Sequence, residues 1–275
     1  MSSRTACAPP RRASECHVRL RPSARSLVLA LALMLVAGRA GALSDEIDVY
    51  TAEIAAPGVL NLTLHNNYLA NAGGDSRSIA GPAAYHSLTG GSEWAYGAAP
   101  WLELGVYAPI YTLTRHTRLQ FDGAEVRALF VTPHAEDRSL FYGLNLALQI
   151  NEPAWDPDPL DLEIRPILGG RFGHWRVTIN PIVDLPVKSP GSAEFAPAAR
   201  LDFGDTERRV GVELYIDDTG TVSRMRPWRQ QNQRLFLIGD LQWDRWSFEP
   251  GVGLGITTQS DHLTIKLIVS RDLNP

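Results

Sequence analysis

The chain has 275 residues, of which 44% are hydrophobic and 20% charged, and 26 Lys and Arg against 30 Asp and Glu give a formal charge of −4. Residues 1–42 hold seven of the arginines, one acidic residue and both cysteines (Cys7 and Cys16), so residues 43–275 carry 19 basic and 29 acidic side chains, a formal −10, and no thiol. That balance excludes a basic surface for nucleic acid, and the missing thiols exclude disulfides and thiolate metal centres downstream of residue 42.

The first element is an export signal. Leu27 to Gly38 form a twelve-residue apolar run, preceded by Arg19, Arg21 and Arg25 and followed by the small-x-small triplet Ala40-Gly41-Ala42, the pattern of a cleaved secretory signal spanning residues 1–42. The run falls short of the roughly twenty residues that a membrane-spanning helix requires. No later stretch reaches eighteen apolar residues, so any spanning after residue 42 falls to strands.

Residues 43–58, LSDEIDVYTAEIAAPG, read as a periplasmic N-terminal segment or a small plug. From residue 59 onward the hydrophobicity alternates with a period of two. In V-G-V-E-L-Y-I, Val210, Val212, Leu214 and Ile216 share one face, while Gly211, Glu213 and Tyr215 share the other. Twelve such stretches are predicted, at about 59–69, 84–96, 101–111, 123–132, 139–150, 160–170, 175–185, 193–203, 208–217, 233–242, 246–257 and 262–270. Their connections alternate. Tight turns at Gly97–Pro100, Pro133–Arg138, Arg171–His174, Gly204–Glu207 and Trp243–Arg245 interleave with mostly longer Gly/Pro/Asp-rich loops, the longest at Asp218–Asn232. Short periplasmic turns, longer outer loops and an even strand number describe an all-β, antiparallel transmembrane barrel over residues 59–275, in the outer membrane. Trp94, Tyr96, Trp101, Tyr142, Trp175, Trp243 and Trp246 gather beside the tight turns, as an interfacial aromatic girdle would.

With the leucine-rich faces turned to lipid, the alternation points a ladder of polar side chains into the lumen. Its members are Glu93, Glu103, Glu125, Arg127, Asn145, Gln149, Glu163, Arg165, Arg176, Asn180, Arg200, Asp202, Glu213, Asp240, Glu249 and Lys266. A Lys or Arg facing mid-membrane hydrocarbon would cost about 2–4 kcal/mol, which settles the choice of face. Glu163, Arg165 and Arg176 are expected to form one ion-pair cluster, and Arg200, Asp202 and Glu213 another. Counting Asp161, nine acidic groups face five basic ones, a lumen with a weak preference for cations. Gly251, Gly253 and Gly255 fall on the inner face of one strand, which leaves local space or lets another segment approach.

Competing chemistry has little to stand on. The histidines after residue 42 (His65, His86, His116, His134, His174, His262) and strand-end serines such as Ser139 and Ser247 lie in no G-x-S-x-G or H-E-x-x-H context. The reading is therefore non-enzymatic, with no catalytic residues, cofactor or metal, and a membrane-embedded lipid hydrolase is the lesser alternative. Asp156, Asp158 and Asp161 offer alternate carboxylates for a divalent cation or a lipopolysaccharide bridge, but a solvated loop accounts for them more simply. Arg224, Arg226 and Arg229 with Trp228 suit anionic headgroups.

The stretches DEIDVYTAEIAAPG (45–58), EWAYG (93–97), ALFVTPH (128–134), EIRPILGG (163–170), FAPAARL (195–201) and IKLIVSRDL (265–273) together resemble a family of proteobacterial outer-membrane barrels similar to the transporter-like barrels of aromatic (meta-pathway) degradation operons. The resemblance implies an outer-membrane location and passive transport of small solutes, hydrophobic or aromatic ones among them, and it supplies no catalytic residues. It makes outer-membrane lipid, lipopolysaccharide and the barrel-assembly machinery the expected partners. The chain departs from the usual terminal aromatic, ending Asp272-Leu273-Asn274-Pro275, so Leu273 would substitute. A closed structural or surface-interaction barrel is the alternative function.

Overall fold

The computed structural model describes residues 47–71, 86–113, 119–151, 159–187, 193–217, 219–222 and 224–274. The described strands are β1 (Leu60–Asn71), β2 (Ser87–Ala99), β3 (Leu102–Leu113), β4 (Leu119–Val131), β5 (Leu140–Asn151), β6 (Leu160–Phe172), β7 (Trp175–Asn180), β8 (Val183–Pro186), β9 (Glu194–Phe195), β10 (Ala198–Gly204), β11 (Arg208–Asp217), β12 (Gly220–Thr221), β13 (Arg224–Met225), β14 (Asn232–Trp243), β15 (Trp246–Gly255) and β16 (Leu263–Asp272). They form one antiparallel sheet, closed where β1 pairs with β16 from Asn61 opposite Asp272 to Asn71 opposite Leu263. Closure pairs the wall strands all round, and a wall without open edges is what can reside in hydrocarbon.

Twelve staves make the wall, because β7 with β8 and β9 with β10 are each one stave broken in the middle. The sequence predicts unbroken strands at 175–185 and 193–203, but the ladder stops at Pro181-Ile182 and at Ala196-Pro197. A proline has no N–H to donate to a ladder. The two breaks are adjacent in the wall, and the N–H of Ala196 bridges them by donating to the Ile182 carbonyl at 3.0 Å. Beyond the second break β9 pairs with β12, Thr221 opposite Glu194. The expected loop at 218–232 therefore contributes the hairpin β12–β13 and a 3-10 turn at Trp228–Gln230.

The alternation follows from the residues. Along β7, Trp175, Val177 and Ile179 are exposed while Arg176, Thr178 and Asn180 are buried. Along β14 the exposed Leu235 and Leu237 alternate with the buried Phe236 and Ile238. Exposed apolar and buried polar side chains on one chain invert the arrangement of a water-soluble protein and fit a lipid-facing exterior.

The tight turns share one end with Gly58 and Leu273. Three of them use left-handed residues: His134 (φ 55°), Gly173 (φ 61°) and Asp244 (φ 54°). At another, the Asp205 carboxylate accepts the N–H groups of Glu207 and Arg208, each at 2.9 Å. Those same donors, Arg208 foremost, hold its carboxyl below the usual range. Trp94, Tyr96, Trp101, Tyr142, Trp175 and Trp243 are exposed around this end. Asn274, just past β16, is tied to the start of β1, accepting from the Leu60 N–H at 2.6 Å and donating to the Gly58 carbonyl at 2.9 Å.

Candidate functional site

Residues 47–58 enter the barrel at the short-turn end and run up its lumen. Their entry is set where the Gly58 N–H donates to the Gly97 carbonyl at 2.8 Å. A Cβ at position 97 would lie 2.3 Å from the Ala56 carbonyl oxygen and 2.4 Å from that of Ala55, so only glycine lets the segment lie against β2 here.

Above that point the segment makes no described β-ladder, and side chains of the wall satisfy its backbone instead. Glu103 Oε2 accepts from the Ala55 N–H at 2.6 Å. Asn180 clasps Tyr50 from both sides, Oδ1 accepting from its N–H at 2.8 Å and Nδ2 donating to its carbonyl at 3.1 Å. Arg165 reaches the Asp48 carbonyl at 3.5 Å, and Lys266 donates to that of Ile47 at 3.1 Å.

Two apolar patches on the inner wall hold the segment more strongly than these bonds do. Ile47 and Val49 pack with Ile182, Ala196, Ala198, Tyr215, Phe236 and Ile238; Tyr50 and Ala52 pack with Leu129, Val131, Ala135, Phe141 and Ile167, joined by Ile54. Burying a side chain such as Ile or Val contributes about 1.5–3 kcal/mol, whereas a net hydrogen bond contributes about 1 kcal/mol. The Arg165 guanidinium stacks over the Tyr50 ring at 4.3 Å, and the Tyr50 and Tyr107 hydroxyls meet at 3.0 Å. Residues 47–54 thus lie inside the lumen, packed against its wall.

The structure places Glu93, Glu103, Glu125, Arg127, Asn145, Glu163, Arg165, Arg176, Asn180, Arg200, Asp202, Glu213 and Lys266 on the buried inner face, with Asp240 and Glu249 half-buried beside them. Most of them fall into three networks. In the first, Arg127 binds Glu93 and Glu103, the latter at 2.7 Å, and His65 meets Glu93 at 3.2 Å. In the second, Arg165 binds Glu163 at 2.8 Å, with Asn145 at 3.4 Å from the same carboxylate. The third joins Arg176, Asp202, Arg200, Asp240, Glu249, Glu213 and Lys266. Arg200 meets Asp202 at 2.8 Å, Glu249 at 2.6 Å and Glu213 at 3.1 Å, and it also binds Asp240. Lys266 Nζ lies 2.5 Å from both Glu213 and Glu249.

One expected cluster is corrected. Arg176 does not join Glu163 and Arg165; it binds Asp202 at 3.0 Å, Asp240 at 3.3 Å and Glu53 at 2.7 Å. Register explains this, since Arg176 lies opposite Arg171 at the tight turn, six residues or about 20 Å down the strand from Arg165. Neighbouring side chains take the space that the inner glycines of β15 leave. A Cβ at Gly253 would lie 2.4 Å from the Phe236 ring and one at Gly251 2.8 Å from Lys266 Cγ, so their space is already filled by wall side chains. Asp156 and Asp158 lie outside the described residues, as does His116. Asp161 accepts from Asn151 at 2.6 Å. His86 meets the Tyr68 hydroxyl and His174 the Gly204 carbonyl, at 3.0 and 3.3 Å.

Beside the segment a cavity of about 650 Å³ lies toward the short-turn end, and seven of the ladder residues line it: Glu93, Glu103, Arg127, Arg176, Arg200, Asp240 and Glu249. Of the remaining ladder residues, Asn145, Glu163, Arg165, Asp202, Glu213 and Lys266 belong to the networks, Asn180 holds Tyr50, and Glu125 accepts from Gln149 at 2.8 Å. Sequence reasoning missed the apolar patches to which residues 47–54 dock. Their signal was present: L-F-L-I at 235–238 and A-L-F-V at 128–131 are apolar on both faces, which a strand between lipid and water would not be.

No protein-family model and no curated relative matches the sequence. Among solved structures, the chain is similar to the COG4313 outer membrane channel from Pseudomonas putida F1, with a TM-score of 0.58 and 9% identity over 83% of this chain and 100% of that one. It is also similar to the KdgM porin, with a TM-score of 0.50 and 13% identity over 78% and 99% of the two chains. At these identities the likeness is one of fold.

Proposed function

We propose that this chain is an outer-membrane channel for the passive passage of small solutes, closed by its own residues 47–58. The observation that carries the reading is what lies in the lumen. Wall side chains do not fill it throughout, as they do in small eight-stranded barrels. A separate segment fills it, attached by one end at Gly58, with the cavity of about 650 Å³ beside it. The two structures of similar fold are described as an outer membrane channel and a porin, which supports the reading. In this orientation the tight turns and the cavity face the periplasm and β12–β13 faces outward.

The inner wall then sets the selectivity. Carboxylates outnumber cations along the ladder, so a weak preference for cations is expected, while the apolar patches that hold residues 47–54 offer surface to hydrophobic or aromatic solutes whenever the segment leaves. The test is the reversal potential of refolded residues 59–275 in a planar bilayer under a potassium chloride gradient. Discrete steps with a cation-selective potential are expected, and verified insertion without conductance would refute the proposal. Filling of the lumen also suits a closed structural barrel, which that silent outcome would favour.

A further inference from the structure

Glu53, on the described part of the N-terminal segment, binds two wall arginines directly. Its Oε1 accepts from Arg171 Nη2 at 2.9 Å and from Arg176 Nη1 at 2.7 Å. Both guanidinium groups are held by the wall independently of it. Arg171 lies over the Phe141 ring at 4.4 Å and donates to the carbonyls of Ala135 and Arg138, at 2.5 and 3.3 Å. Arg176 is fixed by Asp202 and Asp240. The pair would therefore keep its geometry if Glu53 withdrew, and Glu53 supplies the only carboxylate bonded to Arg171 among the described residues. The Glu53 side chain is 50% exposed, and Glu53, Arg171 and Arg176 all line the cavity. Two preorganised donors converging on one oxygen beside an aqueous cavity is the form of a carboxylate receptor.

We propose that Arg171 and Arg176 form a carboxylate-binding subsite of the lumen, which Glu53 occupies in cis and which a solute carboxylate takes by exchange. The inference deepens the channel reading and rests on it for the solute's access. The surrounding wall is acidic overall, and Arg171 is a cavity-lining arginine whose carboxylate partner comes from the segment and not from the wall. Tethering gives Glu53 an effective concentration in the millimolar range or above, so the intact protein masks the subsite. Because Ile47, Val49 and Tyr50 anchor the segment separately, losing the Glu53 carboxylate unmasks the subsite without undocking the whole segment.

The experiment is calorimetric titration of propionate, which replaces the carboxylate arm that Glu53→Ala removes, into the full chain from residue 43 refolded in detergent. Glu53→Ala is expected to bind propionate at least tenfold more tightly than the unsubstituted chain. Adding Arg171→Gln is expected to abolish that gain, and the neutral propionamide is expected not to bind. No gain in Glu53→Ala, a gain that survives Arg171→Gln, or equal binding of propionamide would each overturn the proposal. Glu53→Gln, which keeps the side chain's bulk and loses only its charge, serves as a second variant in which a smaller gain of the same sign is required. Heat-modifiable migration verifies folding in each case. Because binding is read without conduction, a barrel that conducts but does not bind loses only the subsite, and one that binds but never conducts loses only the channel.

Discussion

Replacing Lys266 by Met tests whether the deep lumen is as dry as its ion pairs imply. The Lys266 side chain is fully buried, and its Nζ is shared among Glu213 at 2.5 Å, Glu249 at 2.5 Å and the Ile47 carbonyl at 3.1 Å. Methionine keeps most of the volume but leaves two carboxylates competing for Arg200, with only the Tyr215 hydroxyl, 2.8 Å from Glu213, as a further donor among these contacts. Removing one partner of a buried pair costs about 3–5 kcal/mol, because the other charge stays desolvated. That loss is expected in urea unfolding of the refolded barrel followed by tryptophan fluorescence. Adding Glu213→Gln to Lys266→Met removes the stranded charge and should recover more than about 1 kcal/mol, a coupling that a double-mutant cycle isolates. The same substitution in residues 59–275 should cost about 1 kcal/mol less, since the bond to Ile47 is already gone. A loss below about 1 kcal/mol in the full barrel would refute the reasoning and show that water screens this network.

Further outcomes follow from the wall. Gly97→Val sets side-chain atoms against the Ala55 and Ala56 carbonyls, a clash of about 1–3 kcal/mol; it should raise conductance while heat-modifiable migration persists, and unaltered conductance would count against docking at β2. Leu237→Arg puts a charge on the exposed face between Val212 and Val252 and should cost about 2–4 kcal/mol in a bilayer; no cost would mean that this face meets water. Reversing Glu163 to Lys, which sets two cations side by side with Arg165, should shift the reversal potential toward anions, and an unchanged potential with conductance intact would remove that pair from the path. The proposal that anionic lipid meets the exposed Arg224 of β13 and Arg229 of the following 3-10 turn is tested by changing both to Glu, which should weaken binding to lipopolysaccharide micelles in a salt-dependent way; unchanged binding would remove them from such a contact.

Much of this architecture is written in local pattern. The period-two alternation assigns faces because a lipid-facing charge is so costly, and the alternation of turn lengths yields the twelve staves and the shared end of the tight turns. What the pattern could not carry is interaction at long sequence separation. Pro181 and Pro197 are visible in the sequence, but that their breaks lie side by side and divert β9 to β12 follows from register alone. Arg176 shows the same limit: proximity in the chain suggested Glu163, while strand rise carried it to Asp202 on the neighbouring stave and to Glu53. The packing of residues 47–54 on the wall left a trace in the sequence, in the apolar Ile47, Val49 and Tyr50 and in the doubly apolar stretches around Phe236 and Leu129. Glycine at 97 reads as a turn residue in sequence and proves to be the place where the segment lies against the wall.

The measurement that bears most directly on the central claim is a paired single-channel recording of refolded residues 43–275 and 59–275 in the same planar bilayer, with insertion verified for both. The account predicts that the longer chain is silent or passes only small, infrequent steps, whereas the shorter opens in discrete steps of severalfold larger conductance. Equal conductance from the two, or silence from both, would contradict it.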